Sequence, residues 1–268
     1  MSTRLQFSLK TDQEVEIIDI VKYLANMRFF TLIIIVSGLS LVLSSCDDLL
    51  GGDDTDGADT LSDPLPAKTE VTDSDGSAYE VGYDQVSGND QDPFVRKTDA
   101  SGNEVWRIRH DQTPVDARAV LITLDDEDRP YVVFTTDGGS NDSDRFQLNH
   151  VTDGAFSDAP FASYGAGGGA KVTVIARLDP DTGRIERGTF LVARKTSDNT
   201  ANSMDPEGLE VSGDQVVLDV NSFAWPPGEG ATQSNWNYYT TSGSTPLALR
   251  YTFPADLTEI SGVASREE

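Results

Sequence analysis

The stretch Lys171-Val172-Thr173-Val174-Ile175-Ala176-Arg177-Leu178, followed by Asp179-Pro180-Asp181-Thr182-Gly183 and a return at Arg184-Ile185, decides the fold. Its residues alternate: Val172, Val174, Ala176 and Leu178 fall on one face and Lys171, Thr173 and Arg177 on the other, the period of a strand rather than a helix. Asp, Pro and Gly then supply the chemistry of a tight reversal, so the segment reads as a β-hairpin. Working outward, Leu247, Leu249, Tyr251 and Phe253 alternate in the same way against Arg250 and Thr252. Residues 119–124 and 131–134 are apolar on both faces, as expected of strands covered on each side. Further reversals stand at Ala100-Ser101-Gly102-Asn103, at 125–130 and at Ser212-Gly213. The pattern predicts about a dozen short strands over residues 68–268 and an all-β domain of antiparallel hairpins.

The hairpin also has an internal echo. Phe94-Val95-Arg96-Lys97-Thr98-Asp99-Ala100-Ser101-Gly102-Asn103-Glu104-Val105-Trp106 is answered by residues 174–185 and more weakly by 247–260. Each copy has an apolar strand, a basic residue, a tight turn and a returning strand. The first two are followed by another hairpin, at 119–136 and 209–225. The run Asp92-Pro93-Phe94-Val95-Arg96-Lys97 through Asp99, Gly102 and Trp106, with 119–136 after it, resembles one blade of the β-propeller repeats found in secreted bacterial proteins. That resemblance implies a binding or scaffolding surface rather than a chemistry. Full propellers need at least four blades, and the echo supplies about three units. A propeller-like domain and a twisted sandwich of the same hairpins are both admitted.

Ahead of this domain, Met27-Arg28-Phe29-Phe30 leads into an apolar run that ends at Leu43-Ser44-Ser45-Cys46. The run is too short for a comfortable membrane span and suits the h-region of a signal peptide. Leu43, Ser44 and Ser45 before Cys46 resemble a bacterial lipobox: small side chains admit the peptidase, and the thiol of Cys46 is the group that takes the lipid. Cys46 is the only cysteine of the chain, which also excludes an intramolecular disulfide. Residues 27–45 therefore read as a lipoprotein signal peptide, with the mature chain anchored on the extracytoplasmic side of a bacterial membrane. Residues 1–26, with Asp12, Glu14, Glu16 and Asp19, do not suit a short basic leader. Either translation starts at Met27 or these residues form a long cytosolic extension, helical over 13–26. Residues 46–67, rich in Asp, Gly and Thr, cannot bury enough apolar area to offset backbone entropy and read as a flexible acidic tether.

The 268 residues carry 45 acids against 20 bases, a net charge of −25. Nucleic acid and anionic lipid surfaces are poor partners for such a chain, since phosphate recognition needs clustered Lys and Arg. Of the 45 acids 32 are Asp, while only 6 of the 20 bases are Lys, a halophilic-type surface that is equally open to an ordinary acidic envelope protein.

Candidate sites are few. His110 is the only His beside an acid, Asp111, and His150 stands in a polar stretch; both read as strand-end or surface histidines. No Gly-x-Ser-x-Gly elbow supplies a nucleophile. The glycine-rich run at 165–171 lacks the Gly-Lys-Ser/Thr end of a phosphate loop. No cofactor is called for beyond calcium, for which hard oxygen donors stand at Asp137, Asn141, Asp142 and Asp144, and at 125–128. Trp225, Trp236, Tyr238 and Tyr239, interspersed with Asn235, Asn237 and Pro226-Pro227-Gly228, offer flat faces and amides of the kind that stack on sugar rings. The expected function is a lipid-anchored, non-catalytic binding or scaffolding module with a protein or glycan partner in the envelope. The alternative is an envelope-glycan hydrolase using paired carboxylates.

Overall fold

Tight Asp-headed turns dictate the architecture. The structure, a computed structural model, describes residues 63–266 apart from 89, 138–146, 166–170 and 242. The segments read from the sequence as a signal peptide, a lipobox with Cys46 and, up to residue 62, a tether lie outside the described residues, as do Asn141, Asp142 and Asp144.

Four antiparallel strands, β1 (Glu70–Thr72), β2 (Ala78–Ser87), β3 (Asp90–Thr98) and β4 (Glu104–Arg109), form a first sheet in chain order. A second sheet repeats the meander with β5 (Ala117–Leu124), β6 (Pro130–Asp137), β7 (Lys171–Leu178) and β8 (Ile185–Leu191). After a two-stranded ribbon of β9 (Ala193–Arg194) and β10 (Ala201–Asn202), a third follows with β11 (Met204–Ser212), β12 (Gln215–Ser222), β13 (Leu247–Pro254) and β14 (Gly262–Ser265). The domain is all-β, as the alternation predicts.

The echoed segments are β3–β4, β7–β8 and β13–β14, the second half of each meander. The blade boundary differs from the one the resemblance implies: β5–β6 opens the second sheet instead of completing the first, so 92–106 and 119–136 belong to different sheets. Each meander is blade-like, but among the described residues the three do not close into a propeller. β2 and β3 pack on β5, and β11 packs on β5, β6 and β7, so each new sheet leans its first strand on the sheet before it.

That packing explains a second departure from the pattern. Thr173, placed by alternation on a polar face, is fully buried, because β11 covers that face; its hydroxyl donates to the Met204 carbonyl at 2.6 Å. β6 is buried from Pro130 to Thr136, as expected of a strand covered on both sides. The core is continuous through all three sheets and includes Tyr79, Phe134, Ile175, Leu218 and Tyr251. Residues 63–69 run across the three sheets and join them. The Leu65 amide donates to Asp219, Pro66 accepts from the Leu209 amide, Lys68 from Ile122 and Thr69 from Val81. A side chain at Gly208 would stand 2.5 Å from the Leu65 carbonyl oxygen, so the strand carries glycine where the leading segment crosses.

The turns at 73–77, 99–103, 125–129 and 179–183 share one device. Asp73 accepts from the amides of Asp75 and Ser77, Asp99 from Ser101 and Asn103, Asp125 from Glu127 and Arg129, and Asp179 from Asp181 and Thr182. Aspartate has the reach for amides two to four residues ahead of itself, which gives the Asp-over-Glu bias a structural cause. These turns gather at one end of the domain. Ser74 bonds Asp128 between the first two sheets, Trp106 donates to the Pro180 carbonyl, and Tyr131 donates to Ala255 between the second and third. Alternation of strand direction then sends the connections 110–116, 192–203 and 223–246 to the opposite end. Residues 150–161 of the β6–β7 connection run along β8, the Thr152 amide donating to Ile185 while Ala155 and Phe161 accept from Gly188 and Phe190.

Candidate binding site

Two clefts of contrasting chemistry open on the domain, one lined mainly by the connections 192–203 and 223–246 and the other by β5, β6 and β11. The first, of about 370 Å³, is lined by Lys195, Phe223, Trp225, Pro226, Tyr239 and Leu247 together with small hydroxyl and amide side chains. Among its described lining residues there is no Asp or Glu. The second, of about 310 Å³, holds Asp116, Asp137, Asp205 and Glu207 beside Arg118, with no aromatic residue among its described lining residues.

The first cleft rests on a pinned loop. Where β12 ends, Trp225 exchanges both backbone hydrogen bonds with Arg194 of β9, at 3.0 and 3.1 Å. Pro226-Pro227-Gly228 then pairs with 237–239, the Tyr239 amide donating to Pro226 and the Gly228 amide to Asn237. The buried Tyr251 hydroxyl donates to the Pro227 carbonyl at 2.8 Å, tying the loop to the third sheet. Gln233 ties it to the β6–β7 connection, accepting from the Ala162 amide and donating to the Ser163 hydroxyl. The Tyr239 hydroxyl sits against Ser265 of β14. A loop fastened at so many points presents its rings in fixed positions, which lowers the ordering cost of binding.

The four aromatics singled out in the sequence are brought together. Trp225 and Tyr238 meet edge to face with ring centres 6.1 Å apart, and Tyr238 and Trp236 follow at 6.0 Å. Trp236 packs on Phe161 at 4.9 Å. Trp225 and Phe223 remain 47% and 44% exposed, unusual for rings so firmly mounted. Trp225 and Tyr239 line the cleft, while Trp236 and Tyr238 extend the aromatic surface as a strip beside it.

Arg194, Lys195, Phe161 and Phe223 escape the sequence reading. The Arg194 guanidinium lies over the Trp236 ring at 3.7 Å and is only 9% exposed. Burial holds its pKa below the ordinary arginine value, a shift that Tyr238 opposes. The one signal available was a pair of adjacent bases, Arg194 and Lys195, in a chain with few.

Of the calcium candidates, Asp137 is described and lines the acidic cleft; the other three lie outside the described residues. Of the acids at 125–128, Asp125 and Glu127 pair with Arg129, and Asp128 accepts from Ser74 of the neighbouring turn. Among the described residues no group of three or more His, Cys, Asp or Glu is placed to hold a metal ion.

His110 stands at the end of β4, one of the two positions expected of it, and is fully buried rather than on the surface, its Nε2 3.0 Å from the Gly183 carbonyl and its ring 5.2 Å from Phe134. The turn after β7 folds over it, and desolvation pushes its pKa down to about 4. Asp111 is also buried, and desolvation raises it to about 6 against hydrogen bonds from Thr113. His150 is exposed, as expected.

The chain matches no protein-family model and no curated protein. The site therefore stands on its own geometry: a mounted, partly exposed aromatic surface ending in a buried cation.

Proposed function

We propose that the chain is a lipid-anchored extracytoplasmic protein whose β-domain binds a glycan of the cell envelope without altering it. The carrying observation is the first cleft, where Trp225 and Phe223 are held exposed by backbone bonds and Lys195 stands with no Asp or Glu among the described lining residues. Flat rings with amide and hydroxyl neighbours suit the apolar faces and hydroxyls of sugars. Anchoring through Cys46 rests on the lipobox-like sequence and on the polar stretch that follows it.

Hydrolysis through paired carboxylates is the second reading, and the acidic cleft with Asp116, Asp137, Asp205 and Glu207 is the observation that favours it. A glycosidase needs its carboxylates flanking a bound sugar. Here the aromatic lining and the carboxylates occupy separate clefts, which supports binding over turnover.

The test is an array of bacterial envelope glycans probed with the full chain in detergent, as wild type and as Trp225→Ala. The reading expects bound glycans whose signal the substitution removes, with no shortening of the sugar on prolonged incubation. Shortened products would move the function to the hydrolase. Labelling cells with radioactive palmitate should mark wild-type protein and leave Cys46→Ser unmarked.

A further inference from the structure

The first cleft is a trough whose floor is the segment 223–226. Backbone hydrogen bonds leave this segment to opposite sides, as they leave a strand with a neighbour on each flank. The Phe223 amide donates to the Ser203 carbonyl and Trp225 exchanges both bonds with Arg194, so residues 223 and 225 are tied to the connection 192–203. The Pro226 carbonyl accepts instead from the Tyr239 amide. One wall of the trough therefore carries Thr196, Ser197 and Asn202, and the opposite wall carries Thr241 and Thr245.

Along the floor the exposure alternates. Phe223 and Trp225 stand in water to almost half their surface while Ala224 between them is buried, so both rings rise into the trough. Two residues of chain separate them by at most about 7 Å at the backbone. Trp225 is steadied by Tyr238, edge to face with ring centres 6.1 Å apart. Two adjoining rings left unburied and rimmed by polar side chains mark a ligand groove rather than ordinary surface. Lys195 is the sole charged residue among the described lining, so a cationic ligand finds no counter-charge there. Hydroxyl and amide walls above an aromatic floor match a chain of sugars, whose ring faces are apolar and whose edges carry hydroxyls.

We infer that the trough binds a linear oligosaccharide lengthwise, with two consecutive sugar residues on its floor, one over Phe223 and one over Trp225. The inference rests on the glycan-binding reading above and deepens it, because it names a chain read along its length rather than a single terminal sugar. Both rings are mounted on one pinned backbone segment, so the second sugar adds its stacking with little further ordering cost. Affinity then climbs with chain length until both rings are covered.

The test is calorimetric titration of the full chain in detergent. The probes are chito-oligosaccharides, cello-oligosaccharides and α-mannan oligosaccharides, each series graded from one to about four residues. Wild-type protein should bind at least one series, its two-residue member about ten-fold or more tightly than the single sugar, with much smaller gains beyond. Phe223→Ala and Trp225→Ala should each reduce that step to about two-fold or less, and Phe223→Tyr, which keeps a ring in place, should retain it. Because the step compares two ligands on one protein preparation, partial unfolding of a variant does not imitate the result. Wild-type affinity independent of chain length, or an unchanged step in Phe223→Ala, would overturn the two-sugar trough and leave sugar binding standing. Binding of no member of any series by wild type would overturn both.

Discussion

Asp219 and Arg250 face each other across β12 and β13 as a two-point pair, Nε to Oδ1 at 2.8 Å and Nη2 to Oδ2 at 3.0 Å. Asp219 is fully buried and also accepts from Arg266 near the C-terminus and from the Leu65 amide of the leading segment. One carboxylate thus fastens both ends of the described chain to the third sheet. Asp219→Asn keeps the shape but leaves two guanidinium groups around a neutral amide, which should cost about 3–5 kcal/mol. Urea denaturation of the full chain checks this; Arg266→Gln, which leaves the two-point pair intact, should cost much less.

The Asp-headed turns predict an asymmetry between the two acids. At Asp125 the carboxylate accepts from two backbone amides and from the Arg129 side chain. Asp125→Asn keeps an acceptor at the right reach, whereas Asp125→Glu adds a methylene and moves the oxygen away from the amides. The glutamate variant should therefore be the less stable of the two, by about 1–2 kcal/mol, although it preserves the charge. Paired thermal melts decide the order.

Neighbouring buried groups make opposite demands on pH. His110 has a folded pKa of about 4 against an ordinary 6.5, so between those values the unfolded chain takes a proton that the folded chain refuses, and stability falls as pH falls. Asp111, raised to about 6 from 3.8, takes a proton when folded that the unfolded chain does not, and stability rises as pH falls through that window. The two effects nearly cancel between about pH 4 and 6. Asp111→Asn should unmask the histidine, losing about 3 kcal/mol of stability between pH 6.5 and 4 beyond any loss in wild type. His110→Gln should unmask the aspartate, with a slope of the other sign. Denaturant midpoints across this range measure both.

The strands were legible because Leu249, Tyr251 and Phe253 keep a strict period against a polar face, and because Asp and Gly mark each reversal. What lay beyond that pattern depends on contacts between sheets. Thr173 reads as exposed, and only the approach of β11 buries it. The echo located three hairpins correctly, yet the partner of each hairpin is fixed by hydrogen bonds between strands far apart in sequence, so the blade boundary was misplaced. Trp225, Trp236, Tyr238 and Tyr239 were found as a cluster because they lie within one loop. Arg194 was missed because its meeting with Trp236 spans 42 positions.

Hydroxyl-radical footprinting of the full chain, with and without the best-binding oligosaccharide, tests the binding surface most directly. Trp225 and Phe223 are exposed in the cleft, while Tyr83 of β2 and Val105 of β4 are comparably exposed on the first sheet and serve as internal references. The account predicts that the sugar protects Trp225 and Phe223 from oxidation and leaves Tyr83 and Val105 unchanged. Protection of the first sheet with Trp225 and Phe223 still oxidised would contradict it.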